Sequence, residues 1–295
     1  MSDGRVVVGF DGTPSAWRAL DWATDRVARR GGRLDVVQAV DSRLGTAVFG
    51  PRFDVATTAD VALEEAQGHV HALAPEIATE FRWVDGSPPH VLLDASKGAA
   101  LLVVGTDKRH GDRGSRTGSL PLSLAAKADC TVAVVPDRPR PPRNVVVVGV
   151  DDSSFARTAL SAAVMEASWT GAVVEAVHAW DVPETFHRAI EEGREVDPAF
   201  EEAQNKVILD AIADVPAARQ ADIVPVLVRS NPAEALIERG AGAVAIVVGT
   251  RGRGRFAASL LGSVSHDVLL DLPCPVLVTP AEYVFVPDGD VEETW

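Results

Sequence analysis

Val145-Val146-Val147-Val148-Gly149-Val150-Asp151-Asp152-Ser153 is the stretch that decides the fold. An unbroken apolar run of β-branched residues, with no polar alternation, is a strand buried on both faces. It ends on glycine and aspartate and passes to Ser153, a residue suited to cap a helix. The same sentence occurs earlier as Val6-Val7-Val8-Gly9-Phe10-Asp11-Gly12-Thr13-Pro14, at an offset of 140 (149 − 9). There Thr13 can cap and Pro14 fits the first helical position. Further out, Val103-Val104-Gly105-Thr106 matches Val247-Val248-Gly249-Thr250, Gly118-Ser119 matches Gly262-Ser263, and Cys130 matches Cys274, all at 144 (249 − 105). The chain is a tandem duplication whose copies differ by one loop length.

Each copy alternates strand and helix. The β-rich runs of the first are Val6 to Phe10, Leu34 to Ala39, Phe81 to Val84, Leu101 to Val104 and Val132 to Val135. Those of the second are Val145 to Val150, Val173 to Ala179, Ile223 to Val228, Ala245 to Val248 and Val276 to Thr279. Buried strands alternating with helices predict an α/β fold: two tandem doubly wound domains, each a five-stranded parallel sheet flanked by helices. Pro136-Asp137-Arg138-Pro139-Arg140-Pro141-Pro142-Arg143 reads as a stiff spacer. The domains are expected at 1–138 and 143–282, with an acidic tail at 283–295 in which Tyr283 to Val286 can add an edge strand or stay loose.

The 295 residues, 46% hydrophobic and 24% charged, suit two globular domains of ordinary size. No apolar run approaches the roughly 20 residues that span a bilayer. The opening residues enter a strand at once and leave no room for a signal peptide, so a cytoplasmic protein without a membrane span is expected. A net charge of −14 argues against nucleic acid as a partner, since phosphate-backbone binding needs clustered Lys and Arg. Any anion site must be local. Cys130 and Cys274 lie in equivalent places of separate cores and are expected to be inert buried thiols.

Ligands of open α/β sheets bind at the carboxyl ends of the strands. Two unusual loops lie there in the second copy. One is Gly149-Val150-Asp151-Asp152-Ser153; the other is Gly249-Thr250-Arg251-Gly252-Arg253-Gly254-Arg255, followed by Gly262-Ser263-Val264-Ser265 at a helix start. Glycines admit positive φ and close backbone approach, and a helix N-terminus favours an anion. Together they predict a phosphate cradle. No Gly-Lys-Ser/Thr follows the glycines, and they sit after the fourth strand instead of the first, so neither the P-loop nor the dinucleotide fingerprint applies.

Gly249-x-x-Gly252, then nine residues, then Gly262-Ser263 is the pattern of the ATP-binding universal stress proteins, which the chain resembles twice over, up to about Pro280. The resemblance implies a strand order 3-2-1-4-5, adenine held near the end of the second strand, a triphosphate on the glycine loop, and a homodimer formed through the last strand. It implies ATP, with Mg²⁺ reached indirectly from Asp151, and a role in stress response. In the second copy Gly149 and Asp151 would approach the nucleotide and Ala179 would meet adenine. Gly249, Thr250, Arg251, Gly252, Arg253 and Gly254 would wrap the phosphates, and Gly262, Ser263, Val264 and Ser265 would donate backbone and hydroxyl hydrogen bonds. The first copy keeps Gly9, Asp11, Gly105, Gly118 and Ser119, but Lys108 replaces the second motif glycine and Pro121 stands where Ser265 stands. Weaker or absent binding is expected there.

Each residue also has a plainer reading. Asp151 suits a turn or helix cap, the glycine loop a solvated connection, His178 a satisfied core histidine, and Trp180 and His266 packing. No Ser/His/Asp constellation, metal-ligand spacing or paired carboxylates stand out. Three functions compete: an ATP-binding regulatory protein, which the motifs favour; a slow ATPase or phosphotransferase; and an interaction scaffold without nucleotide.

Overall fold

The computed structural model describes residues 4–50, 54–107, 119–137, 143–182, 184–252 and 261–281. Its first half runs β1 (Arg5–Gly9), α1 (Pro14–Arg30), β2 (Arg33–Val40), α2 (Ser42–Phe49), α3 (Val55–Leu73), β3 (Ala78–Asp85), α4 (Pro88–Ala95), β4 (Leu101–Gly105), α5 (Ser119–Lys127) and β5 (Thr131–Val135). The second runs β6 (Val145–Gly149), α6 (Ser154–Thr170), β7 (Val173–Trp180), α7 (His187–Glu191), α8 (Pro198–Ala213), β8 (Ile223–Arg229), α9 (Pro232–Gly240), β9 (Ala245–Gly249), α10 (Ser263–Asp271) and β10 (Val276–Thr279). All ten expected strands form, within two or three residues of their expected ends. The helix starts follow the caps: the Thr13 hydroxyl accepts the Ala16 N–H at 3.3 Å and the Ser153 hydroxyl accepts the Ala156 N–H at 3.1 Å. Residues 138–142, 283–295 and Lys108, on which other expectations fell, lie outside the described residues.

Within each half the five strands are parallel in the order 3-2-1-4-5, as the resemblance implies. The two expected sheets are also continuous with each other, which the sequence reading did not include. β5 and β10 pair antiparallel, so one ten-stranded sheet runs β3-β2-β1-β4-β5-β10-β9-β6-β7-β8. Val132 to Val135 and Val276 to Val278 are buried throughout. Left as edges, such apolar strands would present unpaired backbone and invite aggregation. Pairing them with each other removes both edges at once. Ala133 lies opposite Leu277, its own counterpart at offset 144 (277 − 133), so a pseudo-two-fold axis passes between them. The edge through which the resemblance implies dimerisation is thus used inside the chain, and a pair of whole chains would need another surface.

Side-chain alternation divides the core into two layers that both cross the joint. Val6, Val8, Ala133, Val135, Val146, Val148 and Leu277 face α1, α3, α6 and α8. Val7, Val132, Val134, Val147, Val276 and Val278 face α4, α5, α9 and α10. Each buried valine or leucine contributes about 1.5–3 kcal/mol of transfer free energy, so the halves share a continuous core. Among the described residues no helix is long and apolar enough to cross a membrane.

Candidate functional site

The second half opens a cavity of about 620 Å³ at the carboxyl ends of β6 and β9, within the usual range for small-molecule sites. Its apolar wall comes from Val177, Ala179, Pro232, Leu236, Val248 and Leu261, and its polar rim from Asp151, His178, Arg251 and the first turn of α10. The parallel order creates it. β6 and β9 are neighbours whose following loops turn to opposite faces, so a crevice opens between them.

Asp151 is held rigidly. Its Oδ1 accepts the Ser153 N–H at 3.0 Å and the Ser153 hydroxyl, while Oδ2 lies against Gly252. The cap reading holds, because one carboxylate oxygen closes the turn, and the residue also lines the cavity. Asp11 repeats the turn with Thr13, whose N–H it accepts at 3.0 Å and hydroxyl at 2.6 Å.

His178 is the core histidine expected, with a further consequence. Its Nδ1–H donates to the Val150 carbonyl at 2.7 Å, and its Nε2 lies 3.2 Å from the Gln204 side-chain amide. Val173 and Val177 bond toward β6, at 3.1 Å to Asn144 and 2.8 Å from Val150, and Val174 toward β8, at 2.9 Å to Asp222. By the alternation of a parallel ladder, Ala179 turns its backbone toward β6. The imidazole already occupies the Val150 carbonyl there. Among the described residues, the N–H and C=O of Ala179 therefore reach the cavity without a backbone partner. Trp180 is buried edge-on to Phe200, with centroids 5.4 Å apart, and does not line the cavity.

The motif glycines are required for space, not for left-handed backbone; none of Gly149, Gly249, Gly252 and Gly262 has positive φ. A β-carbon on Gly252 would stand 2.7 Å from Asp151 Oδ2, and one on Gly262 3.3 Å from the Arg251 α-carbon. A β-carbon on Gly249 would meet the Phe155 β-carbon at 2.8 Å, so that glycine lets the end of β9 pass the start of α6. Thr250 turns its backbone inward: its N–H donates to Thr279 at 2.9 Å and its carbonyl accepts the Gly262 N–H at 2.7 Å. That pair draws α10 up to the loop. α10 starts without a side-chain cap, and His266 N–H closes its first turn onto the Gly262 carbonyl at 2.9 Å. The N–H groups of Ser263, Val264 and Ser265 are the orphans of that turn, and these residues line the cavity.

One expected donor is redirected. The buried Ser265 hydroxyl donates to the Gly249 carbonyl, tying α10 to β9 instead of facing a ligand. Pro121, buried in the matched place of α5, lacks that tie. Arg253, Gly254 and Gly118 lie outside the described residues.

The first-half crevice, lined by Gly9, Asp11, Val37, Ala39, Leu92, Gly105 and Leu120 among others, encloses only about 100 Å³. Leu120 is a methylene longer than Val264 at the matched position. Ser119 starts α5 and is exposed. A difference that motif reading missed lies beside the cradle: Asp107 occupies the place of Arg251 (251 − 107 = 144). Arg18 of α1 reaches Asp107 at 3.6 Å and Asp137 at 2.8 Å. Extending the 144-residue offset one residue past each Gly-Thr pair and comparing charge would have found it.

A doubly wound α/β sheet, duplicated in one chain, with a glycine-lined crevice beside an uncapped helix start, defines the class of fold to which the chain belongs. The chain belongs to the universal stress protein family, whose profile matches residues 4–136 and again 142–280. It is 32% identical over 303 residues to universal stress protein Rv1996 of Mycobacterium tuberculosis (strain ATCC 25618 / H37Rv), spanning 92% of this chain and 94% of that one. It is 31% identical over 298 residues to universal stress protein Rv2623 of the same strain, spanning 94% and 98%. The crystal structure of a universal stress protein from Archaeoglobus fulgidus DSM 4304 shares the fold, with a TM-score of 0.62, 18% identity, and coverage of 94% of this chain and 96% of that one.

Proposed function

We propose that this chain binds one adenine nucleotide, ATP, in its second half and acts as a regulatory stress-response protein, the bound ligand changing a surface offered to itself or a partner. The observation that carries the reading is the convergence of three features on one cavity of about 620 Å³. These are the unpartnered Ala179 backbone as a base reader, the orphan N–H groups of α10, and Arg251. Adenine recognises a backbone N–H and C=O pair by its own acceptor and donor edge. The α10 start and the Arg251 guanidinium supply local positive potential for phosphate in a chain of net charge −14. Asp151, fixed by Ser153, is the carboxylate suited to a water of phosphate-bound Mg²⁺.

No second nucleotide is expected in the first half, because among the described residues its crevice is about one-sixth as large and the buried Pro121 stands where Ser265 ties α10 to β9. The test is to denature the purified protein and count released nucleotide by chromatography. One ATP per chain is expected. Two would refute the single site, and none, even after addition of Mg-ATP, would refute nucleotide binding and favour the scaffold.

A further inference from the structure

The joint between the halves carries a second contact on its axis. Arg26 of α1 and Glu166 of α6 are counterparts at offset 140 (166 − 26), and they meet. Arg26 Nη1 donates to Glu166 Oε2 at 2.6 Å, its Nη2 to Oε1, and Arg30 Nη2 adds a third bond to Oε2 at 2.6 Å. The Glu166 side chain is 5% exposed and those of Arg26 and Arg30 are 12% and 13% exposed. Arg30 lies 3.4 Å over the Trp169 ring, and Arg26 5.1 Å over Trp22.

A residue that meets its own counterpart lies on the two-fold axis, where a truly symmetric pair would bring each side chain against itself. Two first halves paired this way would bury Arg26 against Arg26, with both Arg30 side chains beside them and no acid. Two second halves would bury Glu166 against Glu166 with no cation. Either arrangement leaves desolvated like charges, which proteins tolerate poorly. Only the mixed pairing supplies one carboxylate to two guanidiniums. The β5–β10 ladder cannot make this distinction, because both strands are apolar and any half offers one. We propose that Arg26, Arg30 and Glu166 make this face a selective docking surface whose partner is the opposite half, so that a first half pairs with a second half and halves of one kind do not pair.

The consequence is testable in the full chain. Arg26→Glu places two acids on the axis and Glu166→Arg places three guanidiniums there. Each variant alone is expected to melt about 10 °C below the parent. The swap carrying both changes restores one acid to two guanidiniums, since the carboxylate introduced at position 26 can serve both Arg30 and the guanidinium introduced at position 166. It is expected to melt within about 3 °C of the parent. When a tagged Arg26→Glu chain is co-expressed with an untagged Glu166→Arg chain, the two are expected to co-purify in equal amounts, well above the tagged and untagged parent pair. Their acid and basic halves can balance only between chains. Single reversals that melt with the parent, a swap as unstable as the worse single variant, or co-purification no greater than for the parent would each overturn the proposal.

Discussion

Gly252 lies over Asp151 so closely that a β-carbon there would stand 2.7 Å from Oδ2. The carboxylate cannot swing away freely, because Ser153 holds its other oxygen from both N–H and hydroxyl. Gly252→Ala is therefore expected to move the loop away from β6 and weaken ATP binding at least tenfold. It should lower stability by no more than about 1 kcal/mol, since Gly252 is exposed. Calorimetric titration beside a urea melt reads both; unchanged affinity would remove the loop from the site.

Arg251 lines the second crevice, whereas Asp107, at the matched position of the first half, is exposed and faces Arg18. Arg251→Asp is expected to reduce ATP affinity by roughly 10- to 100-fold, as loss of a charged hydrogen bond and gain of repulsion require. The reciprocal Asp107→Arg should not create a second site, because a crevice of about 100 Å³ cannot hold a nucleotide. A stoichiometry of two in that variant would show that charge alone closed the first half.

Burial pushes the Cys130 thiol up to about 11 and the Cys274 thiol up to about 12, against weaker opposing hydrogen bonds. Thiolate is the reactive form, so both should resist a thiol-specific reagent at about pH 8 in the folded protein and both should react after urea unfolding. Fast labelling of either in the native state, followed by mass spectrometry, would contradict the buried, inert assignment.

Burial raises the Glu166 carboxyl, but the charge and hydrogen bonds of Arg26, then Arg30, outweigh it and hold the group below its ordinary 4.5. A depressed folded value means that the ionised pair contributes fully above pH 4.5 and is lost as pH falls below 4.5 through the folded value. Glu166→Gln is expected to lose about 3 kcal/mol at pH 7, where it strands two buried guanidiniums. The gap from the parent should narrow below pH 4.5. Urea midpoints from about pH 7 to pH 3 measure it, and parallel curves would deny the linkage. Asp35, whose burial is more than offset by Arg33 and Arg5, contributes equally to both proteins.

Strands were legible where chemistry was local. Val145 to Val148 and Ala245 to Val248 read as doubly buried because no polar residue interrupts them, and Thr13 and Ser153 marked helix starts through their hydroxyls. The Gly-Ser spacing likewise points to Gly252, Gly262 and Ser263 as neighbours, and all three line one cavity. Less legible was the direction of side chains. Nothing in the sequence says that the Ser265 hydroxyl turns to Gly249, or that the His178 ring takes the Val150 carbonyl and leaves Ala179 open, because both depend on how far apart packed elements lie.

By itself, then, the sequence determined a duplicated α/β unit, its strand and helix order and the rim of one crevice, since periodicity, capping and glycine spacing act over a few residues. Only the tertiary structure decided that the two units are one sheet, with Leu277 against Ala133 and Glu166 between Arg26 and Arg30. Those contacts join residues 136 to 144 positions apart, and only the packing of the two halves across a shared axis brings them within reach.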